Sequence, residues 1–433
     1  MASVIYFSRR LFAASRSPLS SCARSIHTNF GTFQEGDRVI LNTTKGVTLT
    51  KPLKKDQKTD VRGGYIEHNH IIGKGARDVV RTHNGRGDFR ITQPTLEEYV
   101  SLTRRLVTPV YAADASLIVS LLDIHTPPPT GDEPHDEPLE ILEAGTGHGS
   151  LTLHIARAIN GANTSPPPIP QATQRTILDS QGHTQDTGEI TEEENIKQND
   201  WDVWRAKRNA ILHTVEISPK VSAHAEKVVR GFRRGIYTGS VDFYVSSAEG
   251  WIQHQIESRS SKLPPGEKLK PFLSYAILDM PSAEKRIPEV ARVLKTDGVL
   301  AVFTPSITQI GDCVQLIKDQ NLPFIFTKAV ELGMGISGGR LWDVRPAVIR
   351  ASLKSRDVAE NSSSEAEGSP IETSLSDNQT HSINEEDAGM HASPESELGE
   401  GNQSVKHVMV CRPKVGERIV GGGFVGIWRM GKA

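Results

Sequence analysis

Three glycines stand at alternate positions, Gly145, Gly147 and Gly149, directly after the apolar run Leu139–Glu143 and directly before the helix-like run Ser150–Ile159. A strand, a glycine turn and a helix in that order let a ligand approach the backbone closely. In open α/β sheets, the crevice at the carboxyl end of such a strand is where nucleotides bind. Two further acids close apolar runs downstream. Glu216 ends Ile211–Glu216 just before Pro219, and Asp279 ends Tyr275–Asp279. Both belong at carboxyl ends of neighbouring strands, beside the same crevice.

The glycine pattern is G-x-G-x-G with Glu143 ahead of it, whereas the dinucleotide fingerprint is G-x-G-x-x-G. The difference favours S-adenosylmethionine, whose cationic amino group can pair with acids near the turn. Glu216 has the place of the carboxylate that takes both ribose hydroxyls, a role also met in dinucleotide enzymes and so not decisive alone. Ser246-Ser247-Ala248-Glu249, at the end of the third strand, can contact an adenine ring. Asp279 has two readings, a carboxylate facing the crevice or a helix N-cap for the segment opening at Pro281 or Ser282.

These residues need a frame, and the apolar periodicity supplies one. Strands are expected at Leu139–Glu143, Ile211–Glu216, Val241–Val245, Tyr275–Asp279, Gly298–Thr304, Phe324–Glu331 and Gly423–Met430, with helices at Ser150–Ile159, Pro219–Phe232, Ala283–Leu294 and Thr308–Gln320. Seven strands with the last returning late fit an α/β fold, a mostly parallel sheet with helices on both faces. Ahead of it, residues 34–93 carry glycine-punctuated runs such as Arg38–Leu41, Gly46–Thr50 and Tyr65–Ile66, a small β-rich domain. The main domain then runs over 94–351 and is completed by last strands within 405–433. Two polar stretches, 161–200 and 352–404, are too poor in apolar residues to repay ordering entropy and are expected as disordered insertions.

Charge is segregated. The net charge of −2 becomes +10 when the twelve acids of Asp357–Glu400, a stretch without Lys or Arg, are set aside. Within Lys51–Arg90 ten Lys and Arg face five Asp and Glu, which suits either a solvated face or a phosphate-contacting surface. No apolar run approaches the roughly 20 residues that span a bilayer, so no membrane is expected. The three cysteines, Cys22, Cys313 and Cys411, lack zinc or disulfide spacing, and no metal is expected. Residues 1–33 carry Arg9, Arg10, Arg16 and Arg24, many serines and no acid, the composition of a mitochondrial transit peptide. The matrix is the expected compartment, with a nuclear pool as the alternative left open.

Several motifs in one order resemble the catalytic subunit of the tRNA (adenine-58-N1) methyltransferases. They are Pro94-Thr-Leu-Glu-Glu-Tyr99, Thr108-Pro-Val-Tyr111-Ala-Ala-Asp114, Leu142-Glu-Ala-Gly-Thr-Gly-His-Gly-Ser-Leu-Thr152, Leu278-Asp279-Met-Pro-Ser282, Thr304-Pro-Ser-Ile-Thr-Gln309 and Trp342-Asp-Val-Arg345-Pro346. The resemblance implies a class I S-adenosylmethionine-dependent methyltransferase fold, Rossmann-like and seven-stranded, with tRNA as substrate. It implies a cofactor site of Val110, Glu143, Gly145, Thr146, Gly147, His148, Gly149, Ser150, Leu151, Glu216, Ser247, Ala248 and Asp279. Asp279 and Tyr111 become the catalytic candidates, Tyr111 packing over the site or touching the base. His148 stands where serine is common, and Ala283 where an aromatic residue is frequent. A homotetramer is expected, with a heterotetramer containing a non-catalytic RNA-binding subunit as the alternative. Arg345 is expected to touch RNA or a neighbouring subunit, and Trp342 to lie in the core. Other readings are the non-catalytic subunit itself, or a related fold methylating another base or protein carboxylates.

The chemistry so implied is an in-line displacement in which the neutral N1 of adenine is already a nucleophile. A carboxylate accepting from the neighbouring exocyclic amine would orient the base and stabilise its developing positive charge. His148 and His154 are accordingly expected as turn and helix-face residues, because no strong general base is needed.

Overall fold

The structure, a computed structural model, describes residues 29–43, 46–129, 137–178, 191–333, 342–348, 407–413 and 422–432. Residues 1–28 and 349–406, which hold most of the expected transit peptide and the acidic stretch, lie outside the described residues.

The N-terminal domain contains β1 (Ile40–Thr43), β2 (Gly46–Leu49), β3 (Lys58–Val61), β4 (Gly64–Glu67), β5 (Val79–Arg81) and β6 (Asp88–Thr92). Four of them form an antiparallel sheet in the order β2-β1-β6-β5, and β3 and β4 form a separate hairpin. Period-two alternation turns Leu41, Val80, Phe89 and Ile91 inward, against Phe33, Leu53, Ile66 and Ile71. Phe33 is 1% exposed, so this domain begins before Gln34. Arg234 fixes that beginning from the main domain, donating to the carbonyls of Asn29 and Thr32 and to both oxygens of Asp37.

Two helices follow, α1 (Leu96–Leu102) and α2 (Ala112–Leu122). A reciprocal capping box starts α1, with Thr95 Oγ1 accepting from Glu98 N at 3.1 Å and Glu98 Oε2 accepting from Thr95 N at 2.8 Å. The main sheet is built from β7 (Leu139–Ala144), β8 (Arg175–Ile177), β9 (Ala210–Glu216), β10 (Val241–Val245), β11 (Leu273–Leu278), β12 (Leu294–Thr304), β13 (Phe324–Leu332) and β16 (Gly423–Met430). Its order is β13-β16-β12-β11-β7-β9-β10-β8, parallel except for β16, which is antiparallel to both neighbours. Helices α3 (Ser150–Ile159), α4 (Glu192–Arg205), α5 (Pro219–Gly231), α6 (Ala248–Ser260), α7 (Ile287–Ala291) and α8 (Ile307–Asp319) connect the strands. Two cores flank the sheet. Ile141 faces one with α1, α2, α3 and α5, and Leu142 faces the other with α6, α7 and α8.

Four expectations need correction. Within 161–200, read as a disordered insertion, β8 pairs with β10 as an eighth strand and α4 packs its Trp201 at 2% exposure. A few anchors order this polar stretch, among them Thr173 and Gln174, which bond Glu226 of α5. Helix α6 was not expected, because of its thirteen residues those buried are Ala248, Trp251 and Ile252. The helix expected over Ala283–Leu294 is a 3₁₀ turn at Ala283–Arg286 followed by the short α7, which begins at Ile287 with Pro288 in its first turn, where a missing N–H is tolerated, and Leu294 already opens β12. Of residues 405–433, β16 alone among those described joins the sheet. His407–Pro413 (β15) instead pairs antiparallel with Trp342–Val348 (β14), in a second unit of the chain, Arg340–Glu417.

No helix among the described residues is long and apolar enough to cross a membrane.

Candidate cofactor and catalytic site

Strand order reverses around β7, whose neighbours are β9 on one side and β11 on the other. Ligands of open α/β sheets bind at this switch point, beyond the strand carboxyl ends. Here it is formed by Gly145–Ser150 after β7, Glu216 at the end of β9, Ser246–Ser247 after β10 and Asp279 after β11.

Gly145, Gly147 and Gly149 have φ of 98°, 53° and 84°, a region that L side chains rarely enter. Space tightens the requirement at Gly145, where a Cβ would lie 1.9 Å from Asp279 O. That contact, with Asp279 N donating to Ala144 O at 2.8 Å, seats the turn against the end of β11. A Cβ at Gly149 would touch the Ala225 backbone at 3.4 Å, so this glycine lets α3 approach α5. At Gly147 the nearest neighbour is Val107 Cγ2 at 3.7 Å, and this is where the backbone is open.

The acids differ in their partners. Glu216 Oε2 accepts from Gly147 N at 3.1 Å and Oε1 from Ser218 N at 3.0 Å, which fixes the carboxylate against the turn and leaves lone pairs on both oxygens. Glu143 is wholly buried. Its Oε2 accepts from Thr152 Oγ1 at 2.7 Å and Thr214 Oγ1 at 2.8 Å, while Oε1 has no partner among the described residues. Burial pushes its carboxyl up to about 8, and the neighbouring charges of Asp279 and Glu216 push the same way. Asp279 is raised to about 7, by burial first and then by Glu216. The N-cap reading of Asp279 does not hold, because Ser282 occupies the N-cap position and no side chain caps that turn. Three carboxylates thus converge without a cation from the described chain to balance Glu143 or Asp279.

Several other expected residues serve the frame. Ser150 Oγ donates to Val110 O at 2.6 Å, tying the segment before α2 to the start of α3. This brings Tyr111, the residue preceding α2, to the turn, with the Arg105 guanidinium 5.4 Å from its ring centroid. Thr146 Oγ1 bonds Thr214 Oγ1 at 2.7 Å, Leu151 is core, Ala248 is buried, and Ser247 Oγ caps α6 by accepting from Gly250 N at 3.0 Å. His148 is turned away from the crevice, with its ring 5.4 Å from that of His224, and burial lowers it to about 4. His154 Nδ1 bonds Ser150 O at 2.7 Å, and burial brings it also to about 4, so neither histidine is placed as a base. The side chains of Trp342 and Arg345 lie outside the described ones.

Thr152, Thr214, Val107 and Arg105 were not singled out in the sequence. Thr214 lies two residues before Glu216 and Thr152 two after Ser150, a spacing that marks them only once β7, β9 and α3 are known to face one another.

The fold is that of class I S-adenosylmethionine-dependent methyltransferases. A solved S-adenosylmethionine-dependent O-methyltransferase from Thermotoga maritima superposes with a TM-score of 0.51 at 16% identity, covering 93% of this chain and 96% of that one. The resemblance carried by the sequence motifs is borne out more narrowly. Residues 31–80 match the family model described as TrmI-like N-terminal. The tRNA (adenine(58)-N(1))-methyltransferase TrmI of Thermus thermophilus is 26% identical over 282 residues, 65% of this chain and 78% of that protein. The catalytic subunit of the corresponding Candida albicans enzyme is 26% identical over 126 residues, 29% of this chain and 34% of that one.

Proposed function

We propose that this chain transfers a methyl group from S-adenosylmethionine to N1 of adenine 58 in the T-loop of tRNA. The observation that carries the reading is the convergence of Glu143, Glu216 and Asp279 on one glycine turn. S-adenosylmethionine brings two positive charges, a sulfonium and an ammonium, and supplies the methyl group as an electrophile. The residues fit such a molecule. Gly147 leaves the backbone open to close approach, Glu216 is held ready for ribose hydroxyls, and the uncompensated acids suit a cation.

Asp279 acts on the base. Its carboxylate accepts from the exocyclic amine, orients N1 and stabilises the positive charge that develops on the ring. Tyr111 packs over the base beside it. No residue needs to remove a proton from N1 before attack, in keeping with the buried, neutral His148 and His154. The excess of basic residues in Lys51–Arg90 supports tRNA contact by the N-terminal domain, and the target base must be unpaired and flipped to reach the crevice. We further propose a homotetramer in the mitochondrial matrix, supported by the resemblance and by the basic, acid-free composition of residues 1–33.

N1-methylation blocks the pairing face of adenine, so reverse transcription of tRNA incubated with protein and cofactor should halt at one T-loop adenine. A stop that appears without cofactor, or a methyl group recovered on the exocyclic amine or on protein, rejects the assignment.

A further inference from the structure

Away from the crevice, two loops of the N-terminal domain build a stacked pair of rings. The Tyr65 and His83 rings are parallel within 1°, with centroids 4.0 Å apart, and Lys58 Nζ lies 4.2 Å from the Tyr65 centroid. His83 is exposed, as are Lys58, Arg62 and Arg86. The pair is held rather than left to chance. His83 N donates to Tyr65 O at 3.0 Å, and Asn84 Nδ2 donates to Gly63 O at 2.9 Å, latching the loop after β5 to the β3–β4 turn. Within that loop Thr82 Oγ1 donates to Asn84 Oδ1 at 2.8 Å, Arg86 N donates to Asn84 Oδ1 at 3.1 Å, and Gly87 N donates to Thr82 Oγ1 at 3.0 Å. Gly64 makes room, since a Cβ there would lie 2.8 Å from His83 Cε1.

We propose that the exposed ring of His83, backed by Tyr65, is a stacking platform for an unpaired base of the RNA substrate. The proposal rests on the tRNA reading above and adds a second contact to it, outside the catalytic crevice. A rigid aromatic face flanked by cations is what single-stranded RNA uses, because every base has a π-face and the flanking phosphates are anionic. Acids are present on the same hairpin, Asp60 opposite Tyr65 and Glu67 opposite Lys58, so the cations Lys58, Arg62 and Arg86 leave a small positive excess. A protein partner would want an apolar anchor. The exposed large hydrophobics described in this domain are Val47 and Val79, and neither belongs to the two loops.

The test uses the full chain, an unmodified tRNA transcript and an unstructured RNA oligonucleotide, with Kd read by fluorescence anisotropy. His83→Ala should weaken tRNA binding by about tenfold, as expected for one lost stacked base. His83→Trp should restore it. The slope of log Kd against log salt should not change, since no phosphate contact is lost. KM for tRNA should rise while kcat at saturating tRNA and the Kd for S-adenosylmethionine stay at wild-type values. Wild-type affinity in His83→Ala overturns the platform and leaves the tRNA reading standing. Failure of His83→Trp to rescue also overturns it, because the ring face would not be what binds. A wild-type chain that binds the oligonucleotide through His83 but ignores tRNA keeps the platform and overturns the tRNA reading. Binding of neither RNA overturns both.

Discussion

Strand β7 carries two buried carboxylates three residues apart, and they are in opposite states. Glu140 faces α6, where Arg259 donates to both of its oxygens at 2.9 and 2.6 Å and His213 Nε2 lies 2.8 Å away. Burial works against its charge, but His213 and Arg259 outweigh burial and hold the carboxyl below the usual range. Asp242 on β10 continues this network, bound bidentately by Arg208 and also by Arg205, and is likewise held well below its ordinary value. Glu143 faces α3 instead, receives two hydroxyls and, among the described residues, no cation, and burial raises it to about 8. Burial is common to both ends, so the presence of a counter-charge decides protonation. One end of the sheet satisfies its acids from within. The other, among the described residues, supplies no cation to Glu143.

The comparison breaks most sharply at Asp242. The Arg208 side chain is 4% exposed and has its two terminal nitrogens on this carboxylate, so Asp242→Ala strands a buried guanidinium. Removing one partner of a buried pair costs about 3–5 kcal/mol. Chemical denaturation should report a loss of that order, whereas a change below about 1 kcal/mol would mean that the network is not what holds β9 and β10 together.

At the other end the expected loss is in rate rather than stability. Asp279→Ala removes an acid that burial and Glu216 already disfavour, so the fold should keep or slightly gain stability. Turnover should fall about 10²–10³-fold, the usual loss for one transition-state hydrogen-bonding group. Glu216→Ala is the contrast. Losing the ribose contact should weaken cofactor affinity by roughly tenfold, and saturated turnover should fall less. Wild-type turnover in Asp279→Ala would remove this carboxylate from the mechanism.

The glycine-turn end was the more legible in sequence, and the reason is physical. Glycines forced by positive φ, and acids that end apolar strands, leave local marks, and Gly145, Glu216 and Asp279 could each be read within about ten residues. The paired end leaves none. Glu140, His213, Asp242, Arg208 and Arg259 are scattered over 120 residues and meet only after β7, β9, β10 and α6 assemble. The same limit hid β8 and α4, whose order depends on Glu226 of α5 and on one buried tryptophan rather than on their own periodicity. It also hid the structural use of Ser150, whose hydroxyl braces the turn against the Val110 carbonyl, and of Leu151 and Val110, whose side chains pack in or against the core.

The smallest expected effect is the most specific to the contrast on β7. Folding raises the Glu143 carboxyl from 4.5 to about 8, so between those values the folded state holds a proton that the unfolded chain has released. Stability from this group is therefore fully present below about pH 4.5 and is lost as pH rises through about 8. Glu143→Gln is neutral at every pH, and its carbonyl oxygen can still accept from Thr152 and Thr214. Between pH 6 and 8 the unliganded wild type should lose about 2 kcal/mol relative to the variant, seen as a relative fall in Tm of several degrees. A cationic cofactor prefers the ionised acid, so its affinity should move the other way. In the wild type it should tighten with pH by at most about tenfold per unit for each proton released, whereas in Glu143→Gln only the step of Asp279 near 7 should remain. Parallel Tm and Kd profiles for the two proteins would mean that Glu143 is already ionised at neutral pH, and the difference between the two ends of β7 would then lie in geometry alone.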